Sequence, residues 1–464
     1  MPFPQNDMPS SSNSSKEIKR TSRNDAYATL GATQHPRILQ TYGGAYHDPK
    51  LERMLGKIMC KLAAASQNFD RDYHVTTLDS ESVNAFAMPG GYIYITRGML
   101  ALANDSAEVA AILAHEIAHI IANHGVLRLQ KKAELRLANR NSQDLSSHPG
   151  VRHQNTIEDK QQLAQFSRNQ ELQADSIAIE MLNSAGYDPF ASPRFLRSLE
   201  AYSAFRSVPG TMNASLDFLA THPTTPRRIH LAIKKAREIR TQNAKITGRD
   251  NFLDSIDGMI FGGNFREGYV RENRFIHPQL GVTFSVPAHF IITSSSNVFS
   301  ASSPDKIAVR FDAVPLSANM SASDYLKSGW ILGLDESSVH PITIQKLPGA
   351  RARAANEQWQ FDVVVIVFKN HIFRFFTAAP HHSQNFETVA KTIIQSFHLL
   401  SPSQLNRLKP LKIRIVRVKQ GESVASLAQK MQNTTHKERL FRVLNALSST
   451  QTLHVGERVK IISE

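Results

Sequence analysis

Residues 115–119 of this 464-residue chain read His-Glu-Ile-Ala-His, and these residue types and their spacing are suited to metal chemistry. They lie in a run of helix formers, Glu108–Gly125, that contains no proline. Side chains four residues apart share one face of a helix, so His115 and His119 can bind one zinc ion. Glu116 points beside that position and can take a proton from a water held there. The motif therefore predicts a zinc hydrolase centre; the alternative is a chance match within an apolar helix.

A third ligand decides the kind of zinc site. A metzincin needs a glycine and a third histidine after the first pair, but Ala122 and Gly125 stand at those positions. His124 is one residue out of that pattern. We predict instead that it caps the helix near its C-terminal end, where a cation is favoured.

A second predicted helix, which opens with the segment SRNQELQAD at residues 167–175, offers the missing ligand. Glu171 and Asp175 are four residues apart and share a face. Glu171 can complete a His₂Glu zinc site and leave the fourth position to water. Asp175 can accept a hydrogen bond from the far nitrogen of a ligand histidine. The alternative for two acids on a polar helix is a solvated face; the nearby HEIAH motif favours the ligand interpretation.

Four motifs, in this order along the chain, resemble peptidase family M48, the HtpX-like and BepA-like gluzincins. They are NAFAMPGGYIYITRGML at residues 84–100, HEIAH, SRNQELQAD, and THPTTPRRI at residues 221–229. The resemblance covers about Leu51–Ile239. It implies a mainly helical zincin-type metallopeptidase domain with a small edge sheet.

The resemblance also implies roles for particular residues. The implied zinc ligands are His115, His119 and Glu171, and Glu116 is the implied general base. The same match places His222 and Arg228 at the rim of the site, facing the metal or the oxyanion of the reaction.

The segment at residues 84–100 has a structural interpretation of its own. Alternation over Tyr92–Ile95 predicts a strand entered by a Pro-Gly-Gly turn. Gly90 and Gly91 have no side chains, so another backbone can approach, and such an edge can bind substrate as an added strand. Asn84 can donate to a substrate carbonyl or hold the turn. The candidate substrate-binding residues are Asn84, Gly90, Gly91 and Tyr92; the alternative is an ordinary hairpin.

His222 lies on a predicted loop between helices. A histidine near zinc can stabilise a tetrahedral intermediate, or it can take the open coordination position and silence the enzyme. Arg228 can anchor this loop or hold developing negative charge. The plain alternative is N-capping by Thr221 or Thr225 of a helix that begins near Pro226.

The length of the chain predicts more than one domain, in an α+β fold class overall. We expect a disordered segment over 1–35, a zinc metallopeptidase domain over 36–245, a linker over 246–268, an α+β accessory domain over 269–405 and a small module over 412–464. The polar stretch 139–158, with its Pro-Gly break, is predicted to be a loop over the active-site helices.

The accessory region has strand patterns and no catalytic constellation. The expected strands are Phe275–Phe290, Ile307–Phe311, Trp359–Phe368 and Ile372–Thr377, and the expected helices are Tyr325–Leu332 and Phe386–Phe397. Beyond it, Val416–Ile462 is predicted to run strand, helix, helix, strand.

This C-terminal segment resembles a LysM-like βααβ module, a family that binds N-acetylglucosamine polymers such as peptidoglycan. VKQGES at 418–423 and LHVGE at 453–457 carry the match. The resemblance implies a peptidoglycan contact; a degenerate helper domain is the alternative.

Composition limits the partners. The net charge of +14 favours polyanions, but no aromatic interleaving accompanies the basic stretches, so nucleic acid is not expected. A single cysteine, Cys60, excludes an intramolecular disulfide and a cysteine-based zinc site. No apolar run is long enough to span a membrane, and no secretory signal is visible. The family resemblance nevertheless implies the cell envelope or periplasm, with membrane association.

Two functions follow. The first is a zinc metalloendopeptidase that acts on protein or peptide substrates, such as misfolded envelope proteins. The second is a chaperone-like or peptidoglycan-binding envelope factor with little proteolysis. The complete metal motif favours the first, and the long non-catalytic half allows the second.

Overall fold

The computed structural model describes residues 29, 31–66, 72–128, 130–131, 134, 149–208, 216–240, 245–265, 268–295, 298–316, 320–432 and 434–464. It has both helices and sheets, which confirms the α+β class. A helix over residues 31–41 comes first. The helices that follow in the N-terminal half are α1 (Pro49–Ala65), α2 (Arg97–Leu102), α3 (Ser106–Ile121), α4 (Pro149–Ser184), α5 (Ala191–Arg206), α6 (Asp217–Thr221), α7 (Pro226–Ile239) and α8 (Arg249–Ile256).

A three-stranded sheet lies beside α3. Its strands are β1 (His74–Leu78), β2 (Ala85–Met88) and β3 (Tyr92–Thr96). Strand β3 is central, parallel to β1 and antiparallel to β2. The expectation that the Tyr92–Ile95 strand forms the substrate-binding edge is therefore wrong, because both of its sides are paired. The edge that contacts α3 is β2.

Helix α3 carries the HEIAH motif through the core. The Asp105 side chain caps it by accepting a hydrogen bond from the Glu108 backbone N–H. Every residue from Ser106 to Ala118 is buried, and α3 packs against α1, α4 and α5 as well as the sheet. Since unpaired polar groups are costly in such a position, His115 and Glu116 need polar partners or an ion.

Residues 246–268 do not form the predicted linker. They contain α8, which packs against α1 and α3. Its side chains Phe252, Leu253 and Ile256 are 0% exposed. Burial of this apolar face holds the segment to the N-terminal body. Gly248 is the N-cap of the helix, and the other glycines of the segment follow it.

An α+β domain follows. Its strands are β4 (Tyr269–Arg271), β5 (Arg274–His277), β6 (Val282–Ser285), β7 (Ile291–Ser295), β8 (Val298–Ser302), β9 (Ala308–Pro315), β10 (Leu334–Ile344), β11 (Leu347–Ala355), β12 (Trp359–Phe368), β13 (His371–Pro380) and β14 (His398–Leu399); its helices are α9 (Ala322–Leu326), α10 (Phe386–Ser396) and α11 (Pro402–Arg407). One sheet has the order β10-β11-β12-β13-β9-β8-β7 and the other β14-β6-β5-β4. A core rich in phenylalanine joins the two sheets to α10.

Several expected elements of this domain are present. Strands β9, β12 and β13 and helix α10 stand where the sequence predicts them. The expected strand over Phe275–Phe290 is two strands, β5 and β6, joined by a turn with Gly281 at φ +65°. The expected helix over Tyr325–Leu332 is wrong. Helix α9 ends at Leu326, because Gly329 adopts φ +86° and the Trp330 indole donates back to the Tyr325 carbonyl.

The α+β domain is an insertion between the N-terminal helices and the C-terminal segment. The Phe261 N–H donates to the Leu411 carbonyl at 2.7 Å, and the Gly258 N–H donates to the Ile413 carbonyl at 2.8 Å. The departing and returning segments therefore lie side by side.

The C-terminal segment has the predicted order of elements: β15 (Lys412–Arg417), α12 (Val424–Gln429), α13 (Lys437–Leu444) and β16 (Arg458–Ser463). Strands β15 and β16 pair antiparallel. Their apolar side chains share one hydrophobic core with α1, α3 and α5. Residues 412–464 therefore pack into the N-terminal domain, whereas the sequence had predicted a separate module. The likeness to LysM remains a prediction.

Two expected irregular segments differ from the structure. The segment 1–35 was expected to be disordered, but residues 31–35 belong to the helix over 31–41. Residues 1–28 lie outside the described residues. The loop expected over 139–158 is wrong from residue 149 onward, where α4 begins; residues 139–148 lie outside the described part. Within the described chain, no helix has both the length and the apolarity to cross a bilayer.

Candidate metal centre

Four side chains that can bind a metal converge from separate elements. His115 and His119 project from α3, Glu171 projects from α4, and His222 directly follows α6. One ligand atom from each lies within 4.8 Å of all the others. The structure thus brings together the two histidines and the glutamate expected as ligands, and it adds His222.

The spacing of these atoms fits one tetrahedral ion. Ligand atoms about 2.0–2.1 Å from such an ion lie about 3.3 Å apart along the tetrahedron edge. The Nε2 atoms of His115 and His119 are 3.1 Å apart, and the Glu171 carboxylate oxygens lie 3.3 and 3.4 Å from these two nitrogens. A mixed nitrogen and oxygen donor set at these distances suits zinc.

The pKa values of two of these residues favour ligation. Burial, with help from the neighbouring His115 and His222, lowers the pKa of His119 to about 2, so its imidazole is neutral. Burial alone would raise the pKa of Glu171, but hydrogen bonds from His115 and His222 hold it well below its usual range. A neutral imidazole and an ionised carboxylate are the states that bind a metal.

His115 is held from behind by an acidic residue. Its Nδ1 lies 3.1 Å from Asp175 Oδ1, which is the contact expected for a partner that fixes the imidazole tautomer. Burial would lower the pKa of His115, but hydrogen bonds to Asp175 and Glu171 raise it to about 9. Asp175 therefore orients this histidine.

Arg228 is buried directly beside the metal cluster. Only 3% of this residue is exposed, and its guanidinium binds Asp175 through Nε at 2.5 Å and Nη2 at 2.9 Å. Its Nη1 lies 3.0 Å from Glu171 Oε2. Its Nη2 also lies 3.4 Å from His115 Nε2, so the guanidinium faces the metal cluster, and a contact with an oxyanion stays a prediction. Of the alternatives, anchoring fits: Arg228 ties α7 to α4.

Glu116 has the environment of a general base. It is 2% exposed and accepts a hydrogen bond from the Ala87 backbone N–H of β2. Its Oε1 has no hydrogen-bond partner among the described residues and lies 3.7 Å from His222 Nε2. Burial raises the pKa of Glu116, while His222 and His115 oppose the rise. A partly desolvated carboxylate with one oxygen available can accept a proton.

His222 occupies the remaining side of the cluster. Its Nδ1 lies 3.0 Å from both Glu171 oxygens and 3.3 Å from His115 Nε2. The ring stacks on Phe218 with centroids 4.6 Å apart. Thr225 caps α7 by accepting from the Arg228 N–H, and Pro226 begins that helix, as the sequence allows. His222 Nδ1 thus lies beside two of the expected ligands and belongs to the same cluster of possible metal ligands.

His124 has a role that the sequence did not reveal. It is 3% exposed, with Nδ1 3.0 Å from His119 Nδ1 and Nε2 3.1 Å from Gln173 Oε1. It therefore holds His119 from behind, as Asp175 holds His115, and the predicted capping is corrected. Helical spacing could not show this contact, because α3 ends at Ile121 and Asn123 reverses the chain at φ 52°.

The four expected substrate residues build the hairpin instead. The Asn84 amide donates to the Tyr42 hydroxyl at 3.0 Å. Gly90 and Gly91 both have positive φ, and a Cβ on Gly91 would lie 2.0 Å from the Asp72 carbonyl oxygen. Tyr92 packs on His35 and His74. The close backbone approach belongs to the chain entering β1, so the ordinary hairpin is the better interpretation.

Together these contacts define a candidate metallohydrolase centre of the two-histidine, one-glutamate type. The model of peptidase family M48 matches residues 47–236. Residues 47–236 are therefore similar to peptidase family M48.

Curated relatives agree over the same region. The chain is 27% identical over 203 residues to the beta-barrel assembly-enhancing protease of Yersinia pestis, covering 42% of this chain and 40% of that protein. It is 27% identical over 226 residues to the mitochondrial metalloendopeptidase OMA1 of Schizosaccharomyces pombe, covering 46% and 60%. It is 31% identical over 197 residues to OMA1 of Arabidopsis thaliana, covering 41% and 38%. The match thus spans between 38% and 60% of these relatives.

Proposed function

We propose that this protein is a zinc-dependent metalloendopeptidase. One observation carries the proposal: the ligand atoms of His115, His119 and Glu171 lie at tetrahedral spacing, and the Glu116 carboxylate beside them keeps one oxygen without a partner. When bound, zinc would lower the pKa of a coordinated water toward about 7 and polarise a peptide carbonyl.

Glu116 then moves the protons of the reaction. Its carboxylate accepts a proton from the attacking water, and the same group returns a proton to the leaving amine. Burial supports both steps, since it raises the pKa of Glu116 and so favours uptake of a proton by this carboxylate. Asp175 and His124 keep the two ligand imidazoles in place.

The substrate is an extended peptide that adds to the edge of β2. This strand ends the sheet on the α3 side, and its Ala87 N–H already holds Glu116. A strand laid along β2 therefore passes next to the general base, and it is recognised mainly through its main chain.

Envelope protein quality control is the proposed setting. Among the relatives are proteases named for beta-barrel assembly and a mitochondrial metalloendopeptidase. Misfolded envelope proteins are the proposed substrates, with the cell envelope as the location. The second candidate, a peptidoglycan-binding factor, gains no support from the packing of residues 412–464 into the peptidase core.

The test compares the wild type with Glu116→Gln. We expect about one zinc per chain in both proteins and a loss of casein or peptide hydrolysis of at least about 10²-fold in the variant. Metal analysis and a fluorogenic peptide assay measure these quantities. Glu180→Gln, an exposed site on α4, is the matched control and should keep full activity. Substantial hydrolysis by Glu116→Gln would rule out Glu116 as the base, and a wild type that binds no zinc would rule out the proposal.

A further inference from the structure

A cavity of about 520 Å³ adjoins the candidate metal centre. Glu171 and Arg228 line it on the side of the metal ligands, and Thr221 and Pro223, the neighbours of His222 in the chain, line it as well. A peptide whose scissile bond lies at the metal centre therefore places a neighbouring residue in this cavity.

The lining is strongly basic. Four arginines contribute to it: Arg128, Arg168, Arg227 and Arg228. The only acidic residue in the lining is Glu171, which belongs to the metal cluster and is paired with Arg228. The described part of the cavity therefore carries an excess of positive charge.

Within the described part of the chain, three of these guanidinium groups have no acidic partner. Arg128, Arg168 and Arg227 are exposed, and none of them forms an ion pair with a described residue. Arg168 donates only to the neutral Gln165 side chain, at 2.9 Å. By contrast, Arg228 is fully engaged by Asp175 and Glu171. The outer three are thus available to a ligand.

A neutral donor lies in the same wall. The Ser167 hydroxyl is buried and has no hydrogen-bond partner among the described residues. A buried hydroxyl without a partner is costly, and a ligand oxygen in the cavity would relieve that cost. Planar guanidinium groups together with a hydroxyl donor suit a carboxylate, which accepts several hydrogen bonds at once.

We infer that this cavity is a substrate subsite that selects a carboxylate next to the scissile bond. The inference rests on the proposed peptidase function and names its preferred substrate class. The carboxylate is supplied by an Asp or Glu side chain or by the free C-terminus of a peptide. Both present the same group to Arg168 and Arg227, and the experiment distinguishes them.

The first measurement uses quenched fluorescent peptides on the zinc-loaded wild type. One pair differs only by Glu or Gln beside the cleaved bond, with amidated C-termini. A second pair carries Gln and differs only by a free or amidated C-terminus. We expect kcat/KM to be about five- to tenfold higher for the carboxylate member of at least one pair. The pair that responds identifies the source. The preference should shrink as salt screens it.

Charge reversal locates the effect. Arg168→Glu and Arg227→Glu should abolish or invert the ratio of kcat/KM between the members of the responding pair. Arg237→Glu makes the same change of net charge at an exposed position near the other end of α7 and should leave that ratio as in the wild type. If all three variants altered this kcat/KM ratio equally, the preference would come from the net charge of the protein and not from the cavity. That result would overturn the inference.

A binding measurement separates this inference from the proposed function. Fluorescence anisotropy of the same peptides on Glu116→Gln reports affinity without turnover. Equal affinity and equal kcat/KM for both members of both pairs would overturn the subsite while leaving the peptidase intact. No cleavage of any peptide by the zinc-loaded wild type would overturn the peptidase proposal, and the anisotropy ratio would still decide the subsite.

Discussion

At the scale of single residues, the candidate centre depends on a chain of buried charges behind the metal ligands. Arg228 binds Asp175, Asp175 holds His115, and His124 holds His119. Each contact fixes an imidazole that would otherwise rotate, and such partners commonly change metal affinity by about 10–100-fold. The residues behind the ligands therefore matter nearly as much as the ligands.

His222 gives a prediction at this scale. Its Nδ1 lies 3.3 Å from His115 Nε2 and 3.0 Å from Glu171 Oε1, close enough to bind the same ion in place of a water. The His222→Ala variant should keep its zinc. If His222 occupies the water position in about nine-tenths of the molecules, its removal should raise peptide turnover by about tenfold. Metal analysis and steady-state kinetics measure both quantities.

The matched control for this variant is His230→Ala, at an exposed position on α7. It should change neither zinc content nor turnover. A fall of about 10²-fold in His222→Ala would instead assign His222 to stabilising the tetrahedral intermediate. Unaltered turnover would remove it from the mechanism.

At the scale of elements, one lysine joins the C-terminal strand to the helix that precedes the active-site helix. Lys460 of β16 is 0% exposed, and its Nζ donates to the carbonyls of Ala101 at 2.8 Å and Ala103 at 2.6 Å, at the end of α2. A cation is favoured at a helix C-terminus. Asn445 of the α13–β16 connection pairs with the Lys460 backbone, so this anchor extends through the C-terminal segment.

Lys460→Met should lower the free energy of unfolding at pH 7 by about 1–3 kcal/mol. The methionine fills similar space but leaves the Ala101 and Ala103 carbonyls without their donor. Urea unfolding measures the change. The exposed Lys419→Met is the control and should unfold like the wild type; equal stability of all three proteins would show that Lys460 is not an anchor.

The free energies of unfolding of the wild type and Lys460→Met should differ more as the pH rises. Burial lowers the pKa of Lys460 to about 7, against about 10.4 in an unfolded chain, and burial raises the pKa of the nearby Glu108 to about 7. Between pH 7 and 10 the unfolded chain thus binds more protons at Lys460 than the native protein does. Its contribution to stability therefore increases with pH. The difference in unfolding free energy between wild type and Lys460→Met should grow over this window, and a constant difference would contradict the assignment.

At the scale of the whole molecule, a body that holds the candidate metal centre is interrupted by an insertion. The body has one core, to which α1, α3, α5, α8 and the C-terminal elements contribute. The inserted α+β domain has its own cores around β12 and β13. The departing and returning segments pair at Phe261 and Leu411, and Arg271 of β4 forms an ion pair with Glu464 at the end of the C-terminal segment.

Excision of the insertion tests this architecture. Replacing residues 263–410 by a short Gly-Ser linker should give a folded protein that binds zinc and cleaves short peptides within about threefold of the wild-type kcat/KM, since a domain with its own core contributes little to its neighbour. Circular dichroism, metal analysis and peptide kinetics are the measurements.

The opposite deletion is the control. Removing residues 412–464 takes away part of the shared core, including Ile413, Phe441 and Ile462, each 0% exposed, so this variant should fail to fold. An excised protein that does not fold, beside a truncated one that does, would contradict the proposed architecture.

The sequence predicted the candidate site better than its surroundings. The HEIAH spacing is a local property of one helix, and Glu171 and Asp175 share a face for the same reason. Strand β12 was predictable because its run of Val, Ile and Phe is unbroken. The edge strand was mistaken, since alternation in Tyr92–Ile95 marks a strand without saying which neighbours it pairs with. The prediction of a linker over 246–268 was wrong because it rested on the glycines of this segment and ignored three apolar residues, Phe252, Leu253 and Ile256, that the fold buries.

What the sequence determined by itself was the chemistry that the residue types and short spacings allow: two imidazoles and a carboxylate for a metal, with a second carboxylate beside them. The tertiary structure alone decided which distant segments meet. It placed His222 in the ligand cluster, His124 behind His119, Arg228 in a buried ion pair, and β16 against α2. Such contacts join residues far apart in the chain, and their energies depend on burial and geometry that exist only once the core has formed.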